Sequence, residues 1–185
     1  TTSAGQTQAE EVVIATNAYG GDFWPRIDSP FYRLTVFSVA TRPLSENLRA
    51  SILPGNNNVV DTRHDTHYYK LDQDGRIVTG SIVNGARGRS AEGSNRVIEK
   101  RLRYLFPQLG ELEWGWFWYG YIAMNMHMLP RLYELAPGVA TVLGYSGRGV
   151  PTGTAMGGVL ADFMMGVEAK DLDVRPETLR PLFAR

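Results

Sequence analysis

Hydrophobic and polar positions along this chain change period several times, and each change predicts an element. Residues 12–18 (VVIATNA) form a short continuous apolar run, the pattern of a strand buried on both faces of a parallel sheet. A parallel strand needs parallel neighbours and crossover connections. Only one other segment offers itself, 139–143 (VATVL), followed by a helix-like stretch at 154–166 in which Gly157, Gly158 and Ala161 fall close together in projection. Small residues there allow a helix to approach a sheet closely, as in nucleotide-binding folds. Two strands and one helix do not make a sandwiched sheet, so much of that sheet is expected to lie on sequence outside this chain.

Between these pieces the pattern is different. Residues 31–41 (FYRLTVFSVAT) are aromatic and β-branched and predict a long strand that Arg42-Pro43-Leu44 ends. Residues 53–58 (LPGNNN) read as a loop. Segments 67–71 and 76–80 pair as a hairpin through Asp72-Gln73-Asp74-Gly75, whose Asp-Gly step supplies the positive φ of a tight turn. Residues 85–93 read as a Gly- and Arg-rich loop. Ser94 is then expected to cap a helix carrying Val97, Ile98, Leu102 and Leu105 on one side, stopped by Phe106-Pro107.

The most strongly patterned strand is 111–124. Trp114, Trp116, Trp118, Gly120, Ile122 and Met124 fall on one face, and Glu113, Gly115, Phe117, Tyr119, Tyr121 and Ala123 on the other. Neither is plainly a solvent face. The tail from Lys170 is charged and Pro-containing and predicts a surface-hugging extension. The fold class expected is α+β: a large mixed or antiparallel sheet with a flanking helix, set between two pieces of an α/β layer.

The candidate chemistry concentrates where the second apolar run meets its helix. Residues 144–149 read Gly-Tyr-Ser-Gly-Arg-Gly. A strand, a glycine turn and a helix N-terminus in succession leave backbone N–H groups unpaired, with the positive end of the helix dipole behind them. The natural client is electron-rich: a phosphate, a carboxylate or the pyrimidine end of a reduced flavin. The Gly-x-x-Gly-x-Gly spacing is neither the dinucleotide fingerprint nor a Walker loop. A tight turn that needs Gly for positive φ reads the same way.

Composition narrows the field. Lysine plus arginine and aspartate plus glutamate balance at 19 each in 185 residues, so no electrostatic footprint for nucleic acid or an anionic membrane exists. Cysteine is absent, which excludes disulfides, thiol catalysis, Cys-ligated metals and a thioether-linked cofactor within this chain. No apolar run approaches the roughly 18 residues of a membrane span, and the polar residues 1–11 are no signal peptide. A soluble, cytoplasmic protein is the expectation.

Other motifs read as structure. His64 and His67 have metal-ligand spacing near Asp61, but no carboxylate cluster accompanies them, and a solvated start of a strand is expected instead. The Trp114, Trp116 and Trp118 stripe is expected to pack into the core, with Trp118 as the exception able to wall a ligand cavity. Tyr68 and Tyr69 place one phenol on each face of the hairpin. Arg87 and Arg89 are expected to be solvated.

The segments VVIATNAY (12–19), YKLDQDGR (69–76), LFPQL (105–109), WYGYIAM (118–124), Leu129-Pro130 and GYSGRGV (144–150), in this order, resemble the C-terminal half of the FAD-dependent D-amino-acid-oxidase-like superfamily. Within it the chain is most similar to the γ-glutamylputrescine oxidase-like amine oxidases. The resemblance implies an FAD-domain strand and loop over 1–24, a substrate domain over 25–130, and an FAD-domain strand, glycine turn, helix and tail over 131–185. The N-terminal half of the Rossmann-like FAD domain, with its Gly-x-Gly-x-x-Gly motif, is missing, so the chain reads as a portion of a longer enzyme.

By the same resemblance Thr16, Asn17, Gly120, Gly144, Tyr145, Ser146, Gly147, Arg148, Gly149 and Val150 contact the cofactor. Trp118, Tyr121, Met124 and Arg148 line the substrate cavity. The resemblance assigns no catalytic acid or base, because the amine carbon gives hydride to flavin N5 and the protein positions and tunes. Some members attach the flavin through a Cys on the 111–124 strand; with none here, binding is expected to be noncovalent. Amino-acid oxidases clamp the substrate carboxylate with an Arg that aligns with Ile122, and the closest group has His where Arg148 stands. An amine or substituted amine is therefore expected over a free α-amino acid. The alternatives are a chain without activity of its own that acts as an interaction or dimerisation module, or a subunit completed by a separate FAD-binding chain.

Overall fold

The computed structural model describes residues 3–83 and 90–182; Arg87 and Arg89 lie outside the described residues. The chain divides into two units: unit 1 from Thr1–Leu34 with Tyr121–Arg185, and unit 2 from Thr35–Gly120.

In unit 1, β1 (Val12–Ile14) pairs parallel with β8 (Val139–Leu143), Val12 opposite Val139 and Ile14 opposite Thr141. The two apolar runs are thus each other's neighbours. A strand the pattern did not announce, β7 (Arg131–Ala136), returns antiparallel on β8, joined by a turn with Gly138 at φ +75°. Its Arg131 and Glu134 obscure the apolar signal, although Leu132 and Tyr133 between them are both buried. Burial of the first run on both faces is not met in this chain. Ile14 is buried, but Val12 and Val13 are 45% and 47% exposed, because of this strand only Ile14 is packed into a core cluster among the described residues.

Helix α3 (Gly149–Met164) packs on this sheet through Met156, Val159, Leu160 and Phe163, which meet Leu132 and Val142. The small residues expected to approach the sheet lie elsewhere. Gly157, Gly158 and Ala161 are exposed, and a Cβ on either glycine would meet nothing within 4 Å. The larger apolar side chains won the contact because they bury more apolar area. A second cluster joins Ile14, Ala18, Ile27, Phe31, Ala123 and Leu143. The tail runs along β7 as an extension: Glu177 N donates to Leu132 O (2.9 Å) and Glu134 N donates to Glu177 O (3.2 Å).

The second sheet has strand order β3-β4-β5-β2-β6, with β2 at Tyr32–Thr41, β3 at Val59–Val60, β4 at Tyr68–Leu71, β5 at Ile77–Ile82 and β6 at Trp114–Met124. Strands β2 and β6 carry the chain between the units. The β4–β5 hairpin forms as the sequence predicts: Gly75 takes φ +75°, and Asp72 Oδ1 accepts from Asp74 N (3.0 Å) and Arg76 N (2.9 Å). A short helix, α1 (Glu46–Ile52), capped by Ser45, was not anticipated; seven residues are too few to show a period.

Helix α2 spans Ala91–Leu105, and its cap is Ser90, whose Oγ accepts from Gly93 N at 3.1 Å. Ser94 is therefore a buried first-turn residue rather than the cap, and residues 91–93 belong to the helix rather than to the loop. Two serines four apart offer the same signal; Gly93 hid the extra turn because glycine disfavours helix. The buried stripe runs through Ser94, Ile98 and Leu102, leaving Val97 and Leu105 exposed. With Phe37, Val39, Ile52, Tyr69, Ile77 and Leu109, this stripe forms the core of unit 2.

Two further expectations fail here. Trp114 and Phe117 both pack against that core, so strict alternation is broken, and Trp116 and Trp118 are exposed. Trp116 instead has the guanidinium groups of Arg42 (5.3 Å) and Arg76 (4.3 Å) over its ring, contacts that favour an exposed indole.

His67 is no solvated strand start: it is 1% exposed. Its backbone N–H donates to Asp61 Oδ1 (2.9 Å), and Arg101 Nη1 stands against its ring, 3.0 Å from Nε2. Burial, then the Arg101 charge, hold its pKa below the ordinary imidazole value. Among the described residues no three His, Asp or Glu side chains converge as a metal site.

Candidate functional site

The glycine junction lies wholly in unit 1. Strand β8 is buried to its end at Leu143. The chain then turns through Gly144 (φ +80°), Ser146 (φ +51°) and Gly147 (φ +81°) and enters α3 behind Arg148, which makes no side-chain cap. Gly144 is required: a Cβ there would stand 2.4 Å from Asn125 Nδ2. Three amides of the turn are held internally. Gly144 N donates to Asn17 Oδ1 (3.3 Å), Ser146 N to Ala123 O (3.0 Å) and Arg148 N to Tyr145 O (2.9 Å).

The amides of Tyr145, on a half-buried residue, and of Gly147, Gly149 and Val150 are left over. None has an acceptor among the described residues, and the last three residues are exposed, Val150 at 89%. Pro151 contributes no donor to this first turn. The result is a patch of outward N–H groups at the positive end of a 16-residue helix, able to hold a delocalised negative charge.

The loop after β1 joins this turn through Asn17, which opens a 3-10 turn at Asn17–Tyr19 with φ +44°. Thr16 precedes it, its Oγ1 buried and without a partner. On the other side Ile122 lies against the turn, its Cδ1 3.7 Å from where a Cβ on Gly147 would stand. Arg148 reaches back, Nη1 donating to Met128 O (2.9 Å). Tyr145 packs against α3, and burial raises its phenol pKa.

Tyr121 is exposed and donates its N–H to Tyr19 Oη at 2.8 Å. These two tyrosines border a polar cavity of about 300 Å³ with Gly21, Asp22, Asp28 and Arg33. Met124 is buried. Trp118, exposed, and Gly120, half-buried, belong to unit 2. The structure thus brings Thr16, Asn17 and residues 144–150 together. Asn125, which sequence reasoning missed, binds that turn from behind; its only signal is a polar residue ending an aromatic strand.

Residues 1–163 match the DAO family, described as FAD dependent oxidoreductase. The chain belongs to this family. Among curated relatives it is 29% identical over 185 residues to a probable oxidoreductase OrdL of Rhizobium meliloti (strain 1021), covering 98% of this chain and 42% of that protein. It is 30% identical over 167 residues to gamma-glutamylputrescine oxidoreductase of Escherichia coli (strain K12), covering 89% and 39%. The chain therefore spans about two fifths of the length of the curated relatives it matches.

Among solved structures, glycine oxidase from Geobacillus kaustophilus superposes with a TM-score of 0.70 at 22% identity, over 96% of this chain and 47% of that one. Amadoriase I, the fructosyl amine:oxygen oxidoreductase from Aspergillus fumigatus, gives 0.70 at 12%, over 93% and 44%. These likenesses show the DAO fold. No helix among the described residues is long and apolar enough to cross a membrane.

Proposed function

We propose that this chain supplies one wall of the flavin site in an FAD-dependent oxidoreductase that oxidises an amine or substituted amine to an imine. The open amides of Gly147, Gly149 and Val150 at the start of α3 carry the reading. They fit FAD because the pyrimidine edge of a reduced isoalloxazine is the electron-rich client such donors hold. The orphaned Thr16 hydroxyl is a further polar group lacking a partner among the described residues.

FAD, when bound beside these residues, would supply the two-electron acceptor for the hydride of the amine carbon. The chain's own residues position and tune. Gly147, Gly149 and Val150 stabilise negative charge by N–H donation, and Asn17 holds Gly144 so that the turn keeps its shape. Tyr145, Ser146 and Arg148 complete the segment. Gly120 and Trp118, in the other unit, are carried by the resemblance alone.

Tyr121, Arg148 and Met124 are assigned to the substrate side. Ile122 beside the turn is apolar, so no cation stands there to clamp an α-carboxylate, and Arg148 is turned onto a backbone carbonyl. An amine substrate suits this wall better than a free α-amino acid. Noncovalent FAD binding, an N-terminal FAD-binding half on other sequence and a cytoplasmic location belong to the same proposal. The unpartnered edge of β1 and the open small-residue face of α3 are the surfaces that half would cover. Left bare, they would make the isolated chain self-associate.

The test is anaerobic reduction of the flavin in the full-length protein. Bleaching by polyamine derivatives, with D- and L-amino acids inert, is the expected result; the reverse pattern refutes the amine reading. This chain purified alone should retain little FAD, and a stoichiometric flavin spectrum would contradict that.

A further inference from the structure

We propose that Asn125 is a positioning residue for the amides of the glycine turn, an inference that rests on the flavin-facing role given to that turn. Asn125 is 6% exposed, and it uses every hydrogen-bonding group it has. Its N–H donates to Ser146 Oγ (3.3 Å). Nδ2 donates to Leu129 O (2.6 Å) and Gly144 O (3.2 Å). Oδ1 accepts from His127 N (3.0 Å), and its carbonyl accepts from Met128 N (3.3 Å).

Two of these five bonds end on the turn itself. Gly144 O also accepts from Ser146 Oγ (3.1 Å), so Asn125, Gly144 and Ser146 close a ring of hydrogen bonds. Ser146 sits inside that ring at φ +51°, a conformation a non-glycine residue keeps only when its surroundings over-determine it. The ring is the over-determination. Gly144 and Ser146 set the direction in which the chain leaves for Gly147 and α3, so Asn125 acts on the Gly147, Gly149 and Val150 amides through them without facing the ligand. The same close approach explains why residue 144 must lack a Cβ. A fully satisfied buried polar network of this kind holds one geometry; a half-satisfied one does not.

The experiment uses Asn125→Ala and Asn125→Asp. Alanine deletes the side-chain bonds. Aspartate keeps the shape and the acceptor for His127 but sets a carboxylate against the Leu129 and Gly144 carbonyls, and it reports where alanine fails to fold. Amide hydrogen exchange of Gly144, Ser146 and Arg148 is measured in this chain, and the flavin midpoint potential in the full-length protein.

Exchange at these amides should quicken at least about tenfold. The preference for reduced over oxidised flavin should fall about tenfold, a drop of about 30 mV for a two-electron couple. Unchanged exchange overturns the role of Asn125 and leaves the flavin reading standing. Quickened exchange with an unchanged potential overturns the inference together with the flavin reading, because the turn would then be loosened without the cofactor noticing.

Discussion

Replacing Gly144 and Gly147 by alanine, one at a time, separates the glycine the fold needs from the glycine the ligand needs. Both have φ near +80°, and each alanine carries about 1–2 kcal/mol for the left-handed backbone. At Gly147 little more is added, since the new methyl meets only Ile122 Cδ1 at 3.7 Å, an ordinary contact. At Gly144 the methyl would stand 2.4 Å from Asn125 Nδ2. That nitrogen is not a free side-chain end: it is buried and held by Leu129 O and Gly144 O. Displacing it strands a buried donor, at about 1–3 kcal/mol.

Gly144→Ala should therefore lose about 2–5 kcal/mol, a large share of the 5–15 kcal/mol by which domains are usually stable. Gly147→Ala should lose only the backbone part. Urea unfolding followed by far-UV circular dichroism reads both. In the full-length protein Gly147→Ala should nevertheless weaken FAD binding by about tenfold or more, since it sets a methyl beside the open amides, where the loss of one charge-assisted donor is worth about 1.5–3 kcal/mol. Equal destabilisation by the two alanines, within about 0.5 kcal/mol, would refute the packing argument. Unaltered FAD binding by Gly147→Ala would refute the placement of the flavin.

Two predictions concern unit 2. His67 is held below the ordinary imidazole value of 6.5, by burial first and the Arg101 charge second, with Asp61 and Asp65 opposing. The unfolded chain therefore binds more protons than the folded one just below pH 6.5. Stability should be flat above that value and fall as pH drops through it toward the lower folded pKa. Urea midpoints between about pH 8 and pH 5 check this, and His67→Gln should remove the slope; a slope that survives the substitution assigns it to other groups. Tyr69 is buried with no hydroxyl partner among the described residues, and burial pushes its pKa up to about 12. Tyr69→Phe should be neutral or stabilising by up to about 1 kcal/mol, and a loss above about 1 kcal/mol in the same assay would reveal a partner for that hydroxyl.

Local rules made much of the fold legible. The Asp-Gly step at 74–75, the proline boundaries of β2 and the existence of β6 as a long aromatic strand each depend on residues a few positions apart. The parallel relation of the 12–18 and 139–143 runs was readable because a fully apolar short strand has few other uses. The strand and turn from 139 were readable for the same reason, as was the supply of backbone donors where they end; the helix, expected from 154, starts at Gly149.

What the sequence by itself determined, then, was that a helix would begin just after a glycine turn with donors to spare. Which donors stay free was decided by tertiary contacts. Asn17 takes the Gly144 amide across 127 positions and the Ala123 carbonyl takes that of Ser146, and only after those bonds are made do the open amides on exposed residues come down to Gly147, Gly149 and Val150. The burial of His67 beneath Arg101, the open face of α3 and the exposure of Trp116 likewise depend on partners brought from far along the chain. Periodicity reports which face of an element is apolar, but a hydrogen bond or an ion pair between distant residues exists only once the backbone has placed both ends.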